Sequence, residues 1–397
     1  MEEEKIRNLM NRFLQNQVHT YRAQMSPEYS LYDLYKVIYA KSSVMLKEHF
    51  RCVGPIIEYS KREFYNHEIK PLRLPKQSER IDPPLVDIIV QDGYRKDDVN
   101  SAEAQFIVEE ICRITKNPAM EKRTIGVISL LGSYQAMLVW DMLTIQLGPD
   151  KMSHHKIACG DARTFQGKER DIVFLSLVVA SNVPFAPLSR DMFAQRFNVA
   201  ASRARDRMYL VRSVEIDNLS NADQLRKNLI HHFTTPFFQN EKQVKDLREL
   251  CKSPFEAEIY DVLTERGYCV TPQVKVGEFR IDMVVEGNNN HRLAIECDGD
   301  QYHGLDRWEA DMQRQRILER AGWTFWRCFA SSFIRQREAV INDLLTKLSK
   351  QGIEPVQSND KPTYLHTEQR KVTMLGSDSC SYKLQSKINT VENLSVS

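Results

Sequence analysis

Three carboxylates lie in two short apolar segments of the second half of the chain, Asp282 within residues 280–285 and Glu296 and Asp298 within residues 293–299. Side chains alternate between the two faces of a strand, so Glu296 and Asp298 are predicted to share a face. Asp282, on the preceding strand of the same hairpin, would meet them across the sheet. Carboxylates on one face of apolar strands are costly unless a cation neutralises them. Mg²⁺ or Mn²⁺ would do so, activate a water molecule and stabilise a leaving phosphate oxygen.

Two other polar residues bear on this site. His303 follows Asp298 by five positions and is a candidate general acid or base, or a group that orients a phosphate. Glu256 stands on the helix that opens this region, where a solvated helix face is the favoured interpretation. The alternative for the carboxylates themselves is that they line solvated faces of edge strands.

The flanking residues carry a family resemblance. After the carboxylates come the Gly299 turn, His303, and a helix bearing Gln313 and Arg314 that ends before Gly322 and Trp323. This order, over residues 254–349, resembles the very-short-patch-repair (Vsr-like) endonucleases of the PD-(D/E)xK superfamily. The resemblance implies a restriction-endonuclease-like fold in which Asp282 and Glu296 ligate the metal. It also implies the backbone carbonyl of Cys297 as a further ligand.

The chain departs from that superfamily at one position. The general pattern has Lys two residues after the Glu, and here that position is Asp298. The role of the Lys, positioning the attacking water, therefore falls to another group, for which Gln313 and Arg314 on the following helix are candidates. Metal binding is better supported by the sequence than catalytic competence.

Three further segments, residues 48–52, 161–171 and 195–205, combine polar groups with the ends of predicted strands or helices. Arg51 and Arg203 have the chemistry to stabilise charge on a transferring γ-phosphoryl group. A compact polar loop suited to a phosphate or a sugar is formed by Thr164, Gln166 and Gly167. The alternative is that Arg203 and Arg205 are ordinary exposed helix arginines, but three such segments in order argue against it.

These segments, within residues 30–215, resemble the second RecA-like lobe of superfamily 1B helicases of the nonsense-mediated-decay and tRNA-splicing type. The resemblance implies that Arg51 and Arg203 reach the γ-phosphate, that Gln166 couples nucleotide to strand, and that Glu169 contacts the ribose. Gly167 is a further nucleotide-binding candidate. Residues 125–135 match the family's nucleic-acid-contacting motif only loosely, so no contact is assigned to Ser129.

The ATP-holding motifs of this family are absent from the sequence. It contains no GxxxxGK[ST] segment to cradle phosphates and no DExx pair to hold Mg²⁺. In the family both precede the Arg51 segment. We therefore expect the chain to be part of a longer protein, a split-gene product or a remnant. ATP would bind only together with a first helicase lobe supplied by a longer or separate chain.

Apolar runs separated by helical segments predict an α/β fold, with a RecA-like parallel sheet followed by a smaller restriction-endonuclease-like α/β domain. The predicted strands of the first domain are residues 86–90, 125–130, 172–179 and 208–211. The predicted organisation is a helical lead-in (1–50), the second RecA-like lobe (51–215), a helical linker (216–253), the nuclease domain (254–349) and a disordered tail (350–397).

Composition sets the remaining bounds. The chain has 397 residues, a formal net charge of +2 and eight scattered cysteines without CxxC spacing, which argues against a zinc ribbon. Neither a signal peptide nor a membrane span is predicted, so a cytoplasmic protein is expected. The partner is nucleic acid, with DNA favoured over RNA by the nuclease resemblance.

Three functions fit these features. The first is the C-terminal part of a helicase fused to a metal-dependent endonuclease, acting on DNA in repair or defence. The second is a Mg²⁺-dependent nuclease whose helicase-like lobe only binds nucleic acid. The third is a non-catalytic nucleic-acid-binding scaffold, which Asp298 in place of Lys would favour. The preserved arginine segments favour the first.

Overall fold

The structure is a computed structural model that describes residues 3–16, 29–76, 79–236, 247–287, 291–299, 305–355, 366–374 and 385–387. Residues 1–47 form one compact unit, and residues 48–397 form another. The first unit contains helices α1 (Glu3–Phe13) and α2 (Leu31–Ile38). Ser30 and Asp33 form a reciprocal capping box at the start of α2, which satisfies donors that a helix end leaves open.

The second unit alternates strands and helices. Its strands are β1 (Glu48–Val53), β2 (Lys70–Arg73), β3 (Leu85–Val90), β4 (Arg95–Lys96), β5 (Val99–Asn100), β6 (Ile125–Ser129), β7 (Ala158–Asp161), β8 (Arg170–Ala180), β9 (Ala204–Ser213), β10 (Cys269–Val276), β11 (Phe279–Glu286), β12 (Arg292–Asp298), β13 (Phe325–Phe329), β14 (Thr367–Val372) and β15 (Gln385–Lys387). Its helices are α3 (Gly54–Phe64), α4 (Ser101–Ile114), α5 (Tyr134–His154), α6 (Asp191–Ala201), α7 (Gln224–Thr234), α8 (Pro254–Glu265), α9 (Leu305–Arg320), α10 (Ala330–Arg335) and α11 (Arg337–Lys350).

A seven-stranded sheet in the order β15-β14-β3-β9-β8-β6-β7 forms the larger body. From β14 to β7 its strands are parallel, and β15 is antiparallel at the edge. Its central strands are mostly apolar, and every residue of β3 is buried. Such strands are expected where both faces of a parallel sheet are covered. The predicted parallel α/β domain is confirmed.

Helices cover both faces of this sheet. On one face α3, α6 and α7 contribute Ile56, Phe197 and Phe233 to a single apolar core. On the other face α4 and α5 contribute Ile107 and Val139 to a second core. The sequence predicts a helix over residues 134–147; the structure confirms it, but the helix continues past residue 147 through a kink at Gly148, where φ is +75°.

The smaller sheet has the order β10-β11-β12-β13, with antiparallel pairing up to β12 and a parallel pair β12–β13. One face packs on α8 and α11 through residues such as Ile259 and Leu344. The other face packs on α9 through Leu318. The sequence pattern of residues 254–349 predicts the order helix, three strands, helix, strand and helix; the structure confirms it, with the last helix divided into α10 and α11.

The tail predicted to be disordered contains β14, so that prediction is wrong for residues 367–372. The segment is polar, but a strand beside β3 needs backbone donors and acceptors rather than apolar side chains. Gln369 Nε2 donates to Asp87 at 2.8 Å, and Arg370 pairs with Glu368 and Glu110. The other tail residues are described only at 351–355, 366, 373–374 and 385–387.

The predicted linker, residues 216–253, includes α7, which is part of the larger core. Leu229, Ile230 and Phe233 are buried there, and Tyr59 Oη of α3 donates to the carbonyl of Leu225 at 3.3 Å. The part of this region that forms α7 therefore belongs to the larger domain rather than to a linker. Its composition is polar, but its apolar residues recur at helical spacing. No helix among the described residues is long and apolar enough to cross a membrane.

Candidate functional sites

The register of the smaller sheet brings two of the predicted ligands together. Pairing of Met283 with Ile295, extended by one residue, places Asp282 opposite Glu296 on the same face. The predicted alternation along β12 is confirmed, because Ile295 lies in the core under α8 whereas Ala294 lies in the core under α9. The two carboxylates therefore face the same side as α9.

Glu296 is buried, with 3% of its surface exposed. Its Oε2 lies 2.6 Å from Arg314 Nη2 of α9. Among the described residues its Oε1 has no hydrogen-bond donor. Burial raises the pKa of Glu296 to about 7, and the Asp282 carboxylate acts in the same direction while Arg314 opposes it. A further cation beside Glu296 would stabilise the ionised form of this carboxylate.

Asp282 is held by the backbone beside it. Its Oδ2 accepts a hydrogen bond from the Cys297 amide at 2.9 Å. The Cys297 side chain points into the core on the opposite face, where burial strongly raises the pKa of its thiol. The thiol is therefore not a ligand of this site, and a contribution from Cys297 falls to its main chain, as the resemblance implies.

Asp298 does not join the other two carboxylates as expected. Its Oδ2 lies 3.0 Å from Arg327 Nε of β13. The parallel register places Arg327 beside Glu296. In the part of the chain that the structure describes, no three His, Cys, Asp or Glu side chains converge on a metal-sized site. The predicted three-carboxylate cluster is therefore reduced to the pair Asp282 and Glu296.

The structure distinguishes between the two residues of α9 that are candidates for positioning the attacking water. Gln313 is exposed, whereas Arg314 contacts Glu296. Glu256, expected on a solvated helix face, is instead buried and accepts hydrogen bonds from Gln273 Nε2 at 2.9 Å and the Lys252 amide at 3.0 Å. His303 lies outside the described residues.

The three arginine-bearing segments meet at one cleft. Arg51 Nε lies 2.7 Å from Glu169 Oε2, and Arg51 Nη1 donates to the Ser202 carbonyl at 3.4 Å. Arg205 Nη1 lies 3.8 Å from Glu169 Oε1. The cleft has a volume of about 400 Å³ and is lined by Glu48, His49, Phe50, Arg51, Glu169 and Arg205.

The arginine cluster of this cleft consists of Arg51, Arg203 and Arg205, which lie near the Glu169 carboxylate. Arg203 is buried, its Nε finds no acceptor among the described residues, and burial together with Arg51 lowers its pKa. Burial and Arg51 also lower the pKa of His49 to about 4, and its Nε2 accepts from the Cys52 amide at 3.0 Å. An anion with several charges would relieve this repulsion.

The polar loop that follows β7 carries the remaining candidates. Gln166 and Gly167 are exposed, and Gly167 adopts φ +78°, which favours glycine. Buried Phe165 anchors the loop, and Asp161 Oδ1 accepts from the Thr164 amide at 3.0 Å. No contact of the Gln166 side chain ties it to the arginine cluster, so its role stays a prediction.

Comparisons with known proteins agree with this division. Residues 28–215 match the model of a family described as an AAA domain, and residues 255–348 match the model named REase_MTES_1575. The chain therefore combines a superfamily 1 helicase-like AAA domain with a restriction-endonuclease-like domain. No curated protein sequence is significantly similar to the chain.

Among solved structures, the C-terminal domain of a possible DNA helicase from Lactobacillus plantarum WCFS1 matches at 16% identity. The match covers 41% of this chain and 86% of that one. Its TM-score of 0.26 is too low to bear on fold or function.

Proposed function

We propose that this chain is the C-terminal part of an ATP-dependent helicase with a fused metal-dependent endonuclease that acts on DNA, in repair or defence. The helicase-like and restriction-endonuclease-like domains support a nucleic-acid substrate. The nuclease resemblance to Vsr-like enzymes favours DNA over RNA.

The pair Asp282 and Glu296 carries the proposal. Mg²⁺ binds proteins through one or two carboxylates and keeps several waters, so this pair fits it. Glu296 Oε1 is a buried acceptor without a donor among the described residues, which is the atom a cation would satisfy. When bound, the metal would activate water and stabilise the leaving oxygen.

Two arginines would serve the phosphodiester. Arg314 contacts Glu296, and Arg327 contacts Asp298 at the position where the superfamily has Lys. Without substrate, the two guanidinium groups neutralise the carboxylates of Glu296 and Asp298. As the scissile phosphate enters, their guanidinium groups would hold its oxygens and orient the attacked phosphorus.

The arginine cluster supports the helicase part. Arg51 and Arg203 would face the γ-phosphate of an ATP held by a first lobe on a longer or separate chain. Glu169 would exchange its pairing with Arg51 for the ribose. Alone, the chain is expected to hydrolyse no ATP.

Cleavage without ATP tests the nuclease. Labelled single- and double-stranded DNA is incubated with the chain and Mg²⁺ or Mn²⁺, and products are resolved on a gel. We expect cleavage by the wild type, retained in Glu258→Gln, an exposed carboxylate of the same domain, and lost in Glu296→Gln. Cleavage that survives in Glu296→Gln, or a wild type that cuts no substrate, would contradict the proposal.

The second candidate function is a stand-alone nuclease whose helicase-like lobe only binds nucleic acid. The strands that carry Asp282 and Glu296 both belong to the smaller domain, so this function would need no ATP-holding lobe. A first lobe added in trans separates the two candidates. Arg51-dependent ATP hydrolysis by the mixture would support the helicase, and its absence with intact cleavage would support the stand-alone nuclease.

A further inference from the structure

A second cleft, of about 330 Å³, lies where the smaller sheet packs against β2 and the segment that follows it. Its walls carry four cationic side chains and one carboxylate, Glu79. The cations are Arg73, Lys76, Arg292 and Arg320. Neither domain forms this cleft alone.

Arg292 is the most constrained of these cations. It is 9% exposed, its Nη1 donates to the Leu74 carbonyl at 2.5 Å, and its guanidinium lies over the Trp323 ring at 3.7 Å. Among the described residues, neither Arg292 Nε nor Trp323 Nε1 has an acceptor. Of the two residues Arg292 lines the cleft, and its Nε is a donor only, so a ligand that satisfies it must offer an acceptor oxygen.

The other cations of the cleft differ in how strongly a carboxylate of the protein already pairs with them. Arg73 Nη2 lies 2.5 Å from the buried carboxylate of Asp206, so its charge is largely neutralised. Arg320 is 63% exposed and reaches Glu48 only at 3.5 Å, a pair that contributes little. Lys76 and Arg320 are therefore the groups that an anionic ligand can recruit at the mouth of the cleft.

The cleft and the nuclease site share a sheet face and a helix. Arg292 and Glu296 lie four residues apart on β12, about 13 Å along the strand. Arg320 and Arg314 lie six residues apart on α9, about 9 Å along the helix. A chain of phosphates anchored in the cleft would thus reach the carboxylates within a few nucleotides.

We propose that this interdomain cleft binds the phosphodiester backbone of a single nucleic-acid strand and directs it to Asp282 and Glu296. With a volume of about 330 Å³ the cleft has the size of a small-ligand pocket, so it can hold a short stretch of one strand but cannot enclose a duplex. The lining has one exposed aromatic side chain, Phe50, and four cationic ones, which favours contacts with the backbone over stacking with the bases. The inference rests on the proposed function in taking nucleic acid as the substrate.

Binding is measured by fluorescence anisotropy with labelled 20-nucleotide DNA and RNA strands in EDTA, across a salt series. The variant Lys76→Gln/Arg320→Gln is compared with Lys116→Gln/Lys122→Gln, two exposed lysines that do not line the cleft. We expect the cleft variant to bind about tenfold more weakly than the wild type at 100 mM salt. Its salt slope should be smaller by about 1.4, since each lost contact to a single strand contributes about 0.7. The control pair should change neither quantity.

Because EDTA removes the metal, this measurement does not depend on cleavage, and a failed nuclease assay would leave it intact. Arg292→Lys keeps the charge but loses the Nε donor and the planar group over Trp323, so it should weaken binding about fivefold or more with a normal thermal unfolding curve. Equal binding by the wild type and the cleft variant would overturn the proposal. So would an equal loss in the control pair, or displacement of the strand by ATP at stoichiometric concentration.

Discussion

Among the residues that the structure describes, two buried glutamates have a pKa near neutrality. Glu296 belongs to the candidate nuclease site, whereas Glu103 lies inside the larger domain with none of its surface exposed. Its carboxylate accepts from Ser176 Oγ at 2.7 Å, the Val178 amide at 3.0 Å and Ser213 Oγ at 2.9 Å. Burial raises the pKa of Glu103 to about 7, although these hydrogen bonds oppose the shift. These hydrogen bonds connect Glu103 of α4 to two central strands, β8 and β9.

The raised pKa of Glu103 predicts a pH-dependent stability. Between the unfolded value of about 4.5 and the folded value of about 7, the native state binds more protons than the unfolded state, so stability falls as pH rises. Glu103→Gln mimics the protonated form. We expect its unfolding free energy to fall less than that of the wild type from pH 5 to pH 8, as measured by urea unfolding. Glu296 titrates in both proteins, so the difference isolates Glu103; parallel curves would contradict the assignment.

At the scale of elements, a buried ion pair and one further hydrogen bond connect the neighbouring strands β9, β3 and β14. Asp87 of β3 accepts from Arg212 Nε at 2.8 Å and Nη2 at 2.9 Å, and both side chains are almost fully buried. Gln369 Nε2 of β14 donates a third hydrogen bond to the Asp87 carboxylate. The C-terminal strand is therefore held to the sheet by a charged acceptor as well as by backbone pairing.

Removing that third hydrogen bond should weaken the edge of the sheet. Gln369→Ala is expected to lower the free energy of unfolding by about 1–2 kcal/mol, because a donor to a charged acceptor is lost. Thr373→Ala, whose hydroxyl makes only a 3.3 Å exposed contact with Gln91, should change it by less than about 0.5 kcal/mol. Denaturant unfolding compares the two. An equal effect of both substitutions would show that Gln369 does not anchor β14.

Elements with a strong apolar pattern could be predicted from the sequence, and the others could not. The strands around Ile88, Ile128 and Phe174 are apolar runs, and the apolar segments at residues 280–285 and 293–299 predict β11 and β12. The strand β14 has no apolar run, because its contribution is backbone pairing. Partners such as Arg327 for Asp298 depend on strand order, which no local pattern encodes.

At the scale of the whole molecule, the smaller domain is packed against the larger one through β2. Leu72 is buried within the core formed by Val276, Ile281 and Leu318 of the smaller domain. Gly277 approaches the Pro71 carbonyl so closely that a Cβ would lie 2.9 Å from its oxygen, and its φ of +64° also favours glycine. On the same side Arg320 of α9 reaches Glu48 of β1, the strand that carries Arg51.

This packing predicts that the two domains unfold together. Leu72→Ala leaves a cavity at the junction and should cost about 2–5 kcal/mol. We expect it to split a single thermal transition into two, with the smaller domain unfolding first, as followed by calorimetry. Ile145→Ala, at a side chain that is 84% exposed, is the control and should leave the transition unchanged. A Leu72→Ala protein that keeps one transition at the wild-type temperature would contradict the coupling.

The central claim is that the pair Asp282 and Glu296 forms a divalent-metal site, and direct Mn²⁺ binding tests it. Electron paramagnetic resonance of free Mn²⁺ against protein concentration gives stoichiometry and affinity without any substrate. The account predicts one ion per chain, retained in Glu258→Gln and lost in both Asp282→Asn and Glu296→Gln. Binding that persists in these two variants, or a wild type that binds no Mn²⁺, would contradict it.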